Sequence, residues 1–196
     1  MLRFIGFYDY TVVLTYLSLI SAVTGILLSS RGEFSLAVLC LMVSGVCDAF
    51  DGTVARSKKN RTEDEKAFGI QIDSLCDAIS FGVFPAMFCH YMGVDGIIGN
   101  AVICTYVLCT VIRLAFFNVL EANRQKTEDG CAKYYRGMPV TTVSMILPPV
   151  YLTRFFLSPG AFAGVLQGLL AVSALLFVLD VRVPKLNVGK LLKIGK

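Results

Sequence analysis

The chain has 196 residues, 56% of them hydrophobic and 16% charged, with a net charge of +4 and a mean hydropathy of +0.70. So apolar a composition excludes an ordinary soluble domain and points to an all-α, multi-pass membrane protein. No nucleic-acid partner is expected. The seven cysteines (Cys40, Cys47, Cys76, Cys89, Cys104, Cys109 and Cys131) form no CxxC pair and no His-Cys cluster, which argues against zinc and against a disulfide framework.

In chain order, residues 1–8 mix Arg3 with Phe4, Ile5, Phe7 and Tyr8, a pattern expected to form a short amphipathic helix in the membrane interface. No small-residue cleavage site follows, so the first apolar stretch reads as a retained span. Six stretches have roughly the 20-residue length a bilayer requires: residues 10–28, 34–55, 69–91, 97–119, 139–157 and 159–179. With both termini on one side, that side collects all but Arg31 and Arg154 of the 18 Lys and Arg. Both termini, and the loops joining spans two to three and four to five, are therefore expected to be cytoplasmic. The basic tail, residues 184–196, suits an anionic leaflet and is taken apart from a single membrane domain at 1–183.

Against this apolar background, span two carries "VCDAFDGTVAR" at its end and span three opens with "GIQIDSLCDAISFG". With about 100° of turn per residue, Asp48, Asp51, Gly52, Ala55 and Arg56 share one helix face, and so do Asp73 and Asp77. Two helices can thus present four carboxylates to each other near the cytoplasmic side. Four anions at low dielectric repel strongly unless a cation sits among them. Oxygen-only donors select a hard divalent ion such as Mg²⁺, Mn²⁺ or Ca²⁺, and paired metals with open positions suit phosphoryl transfer. Gly52, Ala55 and Gly69 leave a groove for a bulky ligand, and Arg56 is placed to pair with a phosphate. His90, the one histidine, lies toward the far end of span three, away from the acids.

These eight residues resemble the CDP-alcohol phosphotransferase signature, D-x2-D-G-x2-A-R-x8-G-x3-D-x3-D, with every identity matched. Twelve residues rather than eight separate Arg56 from Gly69. The surplus is expected in a charged loop, where insertions are tolerated. "RLAFFNV" (113–119) and "YYRGMPVT" (134–141) are similar to the phosphatidylserine synthase branch, and "TG" at Thr24 and Gly25 extends the likeness to span one.

The resemblance implies six transmembrane helices, a homodimer, and transfer of a phosphatidyl group from CDP-diacylglycerol to an alcohol with release of CMP. By position, Asp48, Asp51, Asp73 and Asp77 would hold two Mg²⁺ or Mn²⁺ ions, with Asp77 also the general base. Gly52, Ala55, Arg56 and Gly69 would contact the CDP moiety. L-serine is the acceptor the secondary motifs imply, with Arg113, Asn118 and Arg136 as candidates to bind it. Glycerol 3-phosphate or inositol phosphate stays open as acceptor, with Lys133 a further cation. Gly160, Gly164 and Gly168 form a small-residue face on span six, within or between subunits. An ion-coupled transporter is the reading from another class, weakened because the acids cluster at one membrane face.

Overall fold

The structure, a computed structural model, describes residues 6–8, 10–58, 62–127, 134–180 and 182–184; residues 55–57, 123–127, 134–136 and 182–184 are described by backbone alone. A 3-10 turn at Tyr10–Val12 leads into α1 (Val13–Ser30), and α2 (Phe34–Ser57) returns beside it. Gly32 makes the reversal possible. It sits at φ +80 and its N–H bonds the Ser29 carbonyl at 3.0 Å, while Glu33 N–H reaches Leu28 O at 2.9 Å. A left-handed residue at that position is how helices commonly stop. Hydroxyls register the hairpin: Ser21 Oγ donates to Cys40 O at 2.8 Å, Ser18 meets Ser44, and Thr15 meets Asp51. Falling numbers on α1 meet rising numbers on α2, so the two helices are antiparallel.

Helix α3 (Glu63–Asp77) continues without a break through a π-helical turn (Ala78–Val83) into α4 (Phe84–Tyr91). Its start differs from the expected Gly69. Thr62 Oγ1 accepts from Glu65 N–H at 3.2 Å and Glu65 Oε2 accepts from Thr62 N–H at 2.9 Å, a reciprocal cap that begins the helix six residues earlier. Much of the surplus between Arg56 and Gly69 is therefore helix rather than loop.

Helix α5 (Gly96–Thr127) outruns its expected end at Val119. After it come β1 (Tyr134–Arg136), α6 (Val143–Leu152), α7 (Pro159–Val178) and β2 (Arg182–Pro184). The two strands pair antiparallel, Tyr135 opposite Val183, a small exception to an otherwise all-helical fold.

Among the described residues, five segments are long and apolar enough to cross a membrane: Tyr10–Ser30, Phe34–Val54, Glu63–Tyr91, Gly96–Ala122 and Pro159–Val178. The expected span at residues 139–157 is not among them. There α6 contributes ten residues, flanked by 3-10 turns at Val140–Thr142 and Thr153–Phe155, with Pro148 and Pro149 inside it. Counted with those contiguous turns the helical run covers residues 140–155, about 27 Å at 1.5–2.0 Å per residue, close to a hydrocarbon core of roughly 30 Å. The expected interfacial helix lies outside the described residues for positions 1–5, and residues 6–8 are not helical. Residues 185–196 of the basic tail also lie outside them.

The core gathers Phe81, Phe84 and Phe88 with Leu41, Tyr106, Leu147, Leu166 and Leu170. Gly25 is required there, because a Cβ would fall inside the Phe84 ring. Outward-facing apolar residues such as Ile97 (91% exposed) and Phe156 (88%) have no place in water, and a lipid environment accounts for them.

Candidate metal centre and adjoining cavity

Three helices converge near the ends of α2 and α3. One carboxylate oxygen from each of Asp48, Asp73 and Asp77 lies within 4.8 Å of the others. Asp48 and Asp77 are in hydrogen-bond contact, as are Asp73 and Asp51. Asp51 is buried, and Thr15 Oγ1 of α1 donates to its Oδ2 at 3.5 Å. The four acids expected to meet do meet, three as a tight group and Asp51 beside it.

Carboxylates in mutual contact need a proton or a cation between them. Among the described residues, no Lys or Arg forms an ion pair with Asp48, Asp73 or Asp77. Every atom of the donor set is a carboxylate oxygen, so the site fits a hard divalent cation and gives zinc or copper no nitrogen or sulfur.

Hydroxyls line the helices beneath the acids. Ser44 lies one turn before Asp48 and Ser80 three residues after Asp77. Ser18 Oγ sits 2.7 Å from Ser44 Oγ and donates to Ser80 Oγ at 3.5 Å, all three buried. This layer packs α1, α2 and α3 without large side chains and sets their spacing at the acids. It was not anticipated, although Thr11, Thr15 and Ser18 stand at i, i+4 and i+7 in an otherwise oily span.

A cavity of about 410 Å³ opens beside the cluster. Asp48, Asp73 and Asp77 form one wall, Arg113, Asn118 and Glu121 of α5 a second, and Pro139 to Thr141 a third. Arg113 was expected near the end of its span; it is instead well inside α5, buried and 7% exposed. Its Nη1 donates to Phe177 O at 3.2 Å, and its guanidinium lies 4.5 Å from the centre of the Phe117 ring. Gly137, at φ +67, lets the chain pass there, since a Cβ would stand 2.7 Å from Arg113 Nη1 and 2.9 Å from Leu179 O. Ser74 Oγ donates to Asn118 Oδ1 at 2.7 Å, which turns the Asn118 amide group outward as a donor. A second, mainly apolar cavity of about 340 Å³ shares Arg113 and Phe117 with the first.

Gly52 follows Asp51 in α2, and Gly69 lies one turn before Asp73 in α3. Neither lines the cavity. The backbones of Ala55 and Arg56 belong to the last turn of α2, but their side chains lie outside the described residues. So does the side chain of Arg136, whose backbone pairs with Arg182, and so does all of Lys133. His90 stays apart, its Nδ1 3.3 Å from Val94 O. Of the cavity residues Glu121 lies outside every quoted motif, while Ser74 and Thr141 lie within motifs that assign them no role.

The family model described as CDP-alcohol phosphatidyltransferase matches residues 10–179. The chain belongs to the CDP-alcohol phosphatidyltransferase family. Members of this family use divalent metals, in keeping with the carboxylate cluster. The family's named relatives include the archaetidylserine synthase of Methanothermobacter thermautotrophicus, 35% identical over 144 residues, covering 71% of this chain and 58% of the relative. The CDP-diacylglycerol–serine O-phosphatidyltransferase of Saccharomyces cerevisiae is 38% identical over 113 residues, 56% of this chain and 40% of that protein. The Helicobacter pylori J99 protein of the same name is 28% identical over 179 residues, 90% of this chain and 72% of its own length. The match thus spans less than two thirds of the length of the first two relatives. No solved structure matches the chain.

Proposed function

We propose that this chain catalyses metal-dependent transfer of a phosphatidyl group from CDP-diacylglycerol to the hydroxyl of L-serine, giving phosphatidylserine and CMP. The observation that carries this reading is the approach of Asp48, Asp73 and Asp77 within 4.8 Å, in a cavity that also holds a buried arginine. In the reaction the serine oxygen forms a new P–O bond at the lipid-bearing phosphorus. The P–O bond to CMP breaks, and the hydroxyl proton passes to Asp77. Asp48, Asp51, Asp73 and Asp77 would hold two Mg²⁺ or Mn²⁺ ions, which when bound supply positive charge against the diphosphate. Gly52, Ala55, Arg56 and Gly69 contact the CDP moiety. Arg113, with Asn118 and Arg136, takes the acceptor's carboxylate. The relatives named above, whose titles specify serine, support that acceptor over a phosphorylated one.

In this reading residues 1–183 form one domain and 184–196 a cytoplasmic tail. The site faces the cytoplasm, where CDP-lipid headgroup and serine are both reachable, and the enzyme is a homodimer in the cell membrane. Positive charge outside the spans supports that orientation, with Arg31 and Arg154 the exceptions.

The test is CMP release by purified protein given CDP-diacylglycerol and Mg²⁺ or Mn²⁺, each acceptor supplied separately. Release with serine that stops on chelation and returns with metal is the expected result. Release with only glycerol 3-phosphate or inositol phosphate would overturn the serine assignment. A folded, metal-binding protein that releases no CMP with any acceptor would point back to ion transport.

A further inference from the structure

We propose that Glu121 is the residue that makes the cavity selective for an amino-acid acceptor, by pairing with its ammonium group; this rests on the serine reading above. Arg113, Asn118 and Glu121 occupy one face of α5, within an arc of about 140°. All three line the same cavity as Asp77. Arg113 and Glu121 are eight residues apart, about 12 Å along the helix axis, and their opposite charges bracket the space between. Phe177 O holds Arg113 from one side and Phe117 supports it from another, so the cation has a fixed place. Glu121 is half-buried.

A molecule that carries a hydroxyl, a carboxylate and an ammonium on adjacent carbons meets a partner for each: Asp77, Arg113 and Glu121. A phosphorylated alcohol offers no ammonium to Glu121 and would bring two negative charges beside it. Glu121 repels that acceptor while attracting the zwitterion, so one side chain acts in both directions.

The experiment compares L-serine with 3-hydroxypropionate, which keeps the hydroxyl and carboxylate but has no ammonium. CMP release is followed in the full chain and in Glu121→Gln, with CDP-diacylglycerol and Mn²⁺. Glu121→Gln is expected to raise the KM for serine about 10- to 100-fold, as for loss of a charged hydrogen bond. The KM for CDP-diacylglycerol should stay as it was, that for the anionic 3-hydroxypropionate should not rise, and Glu121→Asp should recover part of the loss. An unchanged serine KM would overturn the assignment, and so would an equal loss with both acceptors. CDP-diacylglycerol KM and thermal stability show whether the variant is folded; an unfolded Glu121→Gln leaves Glu121→Asp to decide, an unchanged serine KM there again counting against it. If the unaltered protein releases no CMP with serine, the acceptor reading fails first and the role of Glu121 with it.

Discussion

Asp77 stands out among the four acids for its position. It is the last acid of α3, abuts the π-helical turn, lines the cavity and contacts Asp48. A group in that place can take a proton from an acceptor in the cavity, whereas Asp51 does not line the cavity and accepts from Thr15. Asp77→Asn keeps the shape and removes the base. CMP release should fall by at least about 10²- to 10⁴-fold, the usual worth of a general base, while binding of CDP-lipid remains measurable in a direct binding assay. Loss of CDP-lipid binding in that variant would make Asp77 a metal ligand first and a base second. The carboxylates were legible because an acid inside an oily span needs a reason. Glu121 was not, since a charge near the end of a span is ordinarily a solvated one. Only the cavity shows that it shares a face with Arg113.

The element that decides the geometry of this region is the π-helical turn between α3 and α4. Phe84 N–H bonds Ile79 O, five residues back, and the Phe81 carbonyl, four residues before Pro85 and its missing N–H, is met from another helix. Tyr106 of α5, fully buried, donates to it at 2.6 Å. Tyr106→Phe deletes that donor without changing the ring. A buried carbonyl left unmatched costs about 1–3 kcal/mol, so the melting temperature should drop by several degrees, about 2 to 8 °C. Equal melting curves for the two proteins would show that the turn holds without Tyr106. Pro85 signals in the sequence that an i−4 hydrogen bond is lost here, but the run "AISFGVFP" does not tell a π turn from a kinked α-helix. The long spans were legible from hydropathy, and "TEDE" before α3 was a readable cap concealed by treating a charged stretch as loop. The stretch at residues 139–157 is helical over 140–155, as its hydropathy suggests, but is divided into α and 3-10 pieces. Its hydropathy is that of a crossing helix, but the prolines at 148 and 149 and the 3-10 ends depend on backbone hydrogen bonding that hydropathy does not report.

At the scale of the molecule, α7 has two unlike faces. Phe162, Leu166, Leu170, Ala174 and Phe177 are buried against the other helices. On the opposite face Gly160, Gly164 and Gly168 are exposed, and a Cβ built at any of them meets nothing within 4 Å. Each glycine in a helix interior costs roughly 0.5–1 kcal/mol relative to alanine, so three in register with no neighbour inside the protomer require a cause outside it. A second helix brought close across that flat stripe would be such a cause, since small residues let backbones approach in lipid. The homodimer proposed above is therefore assigned to this face. Gly164→Leu fills the stripe without touching the protomer's own packing. Its dimer dissociation constant, followed by energy transfer between labelled protomers in detergent, should rise at least about tenfold, equivalent to about 1.4 kcal/mol. Melting temperature should be held in the monomeric state, because a Cβ at Gly164 meets nothing within 4 Å. A variant that dimerises as before would place the subunit contact elsewhere and leave the three glycines facing lipid.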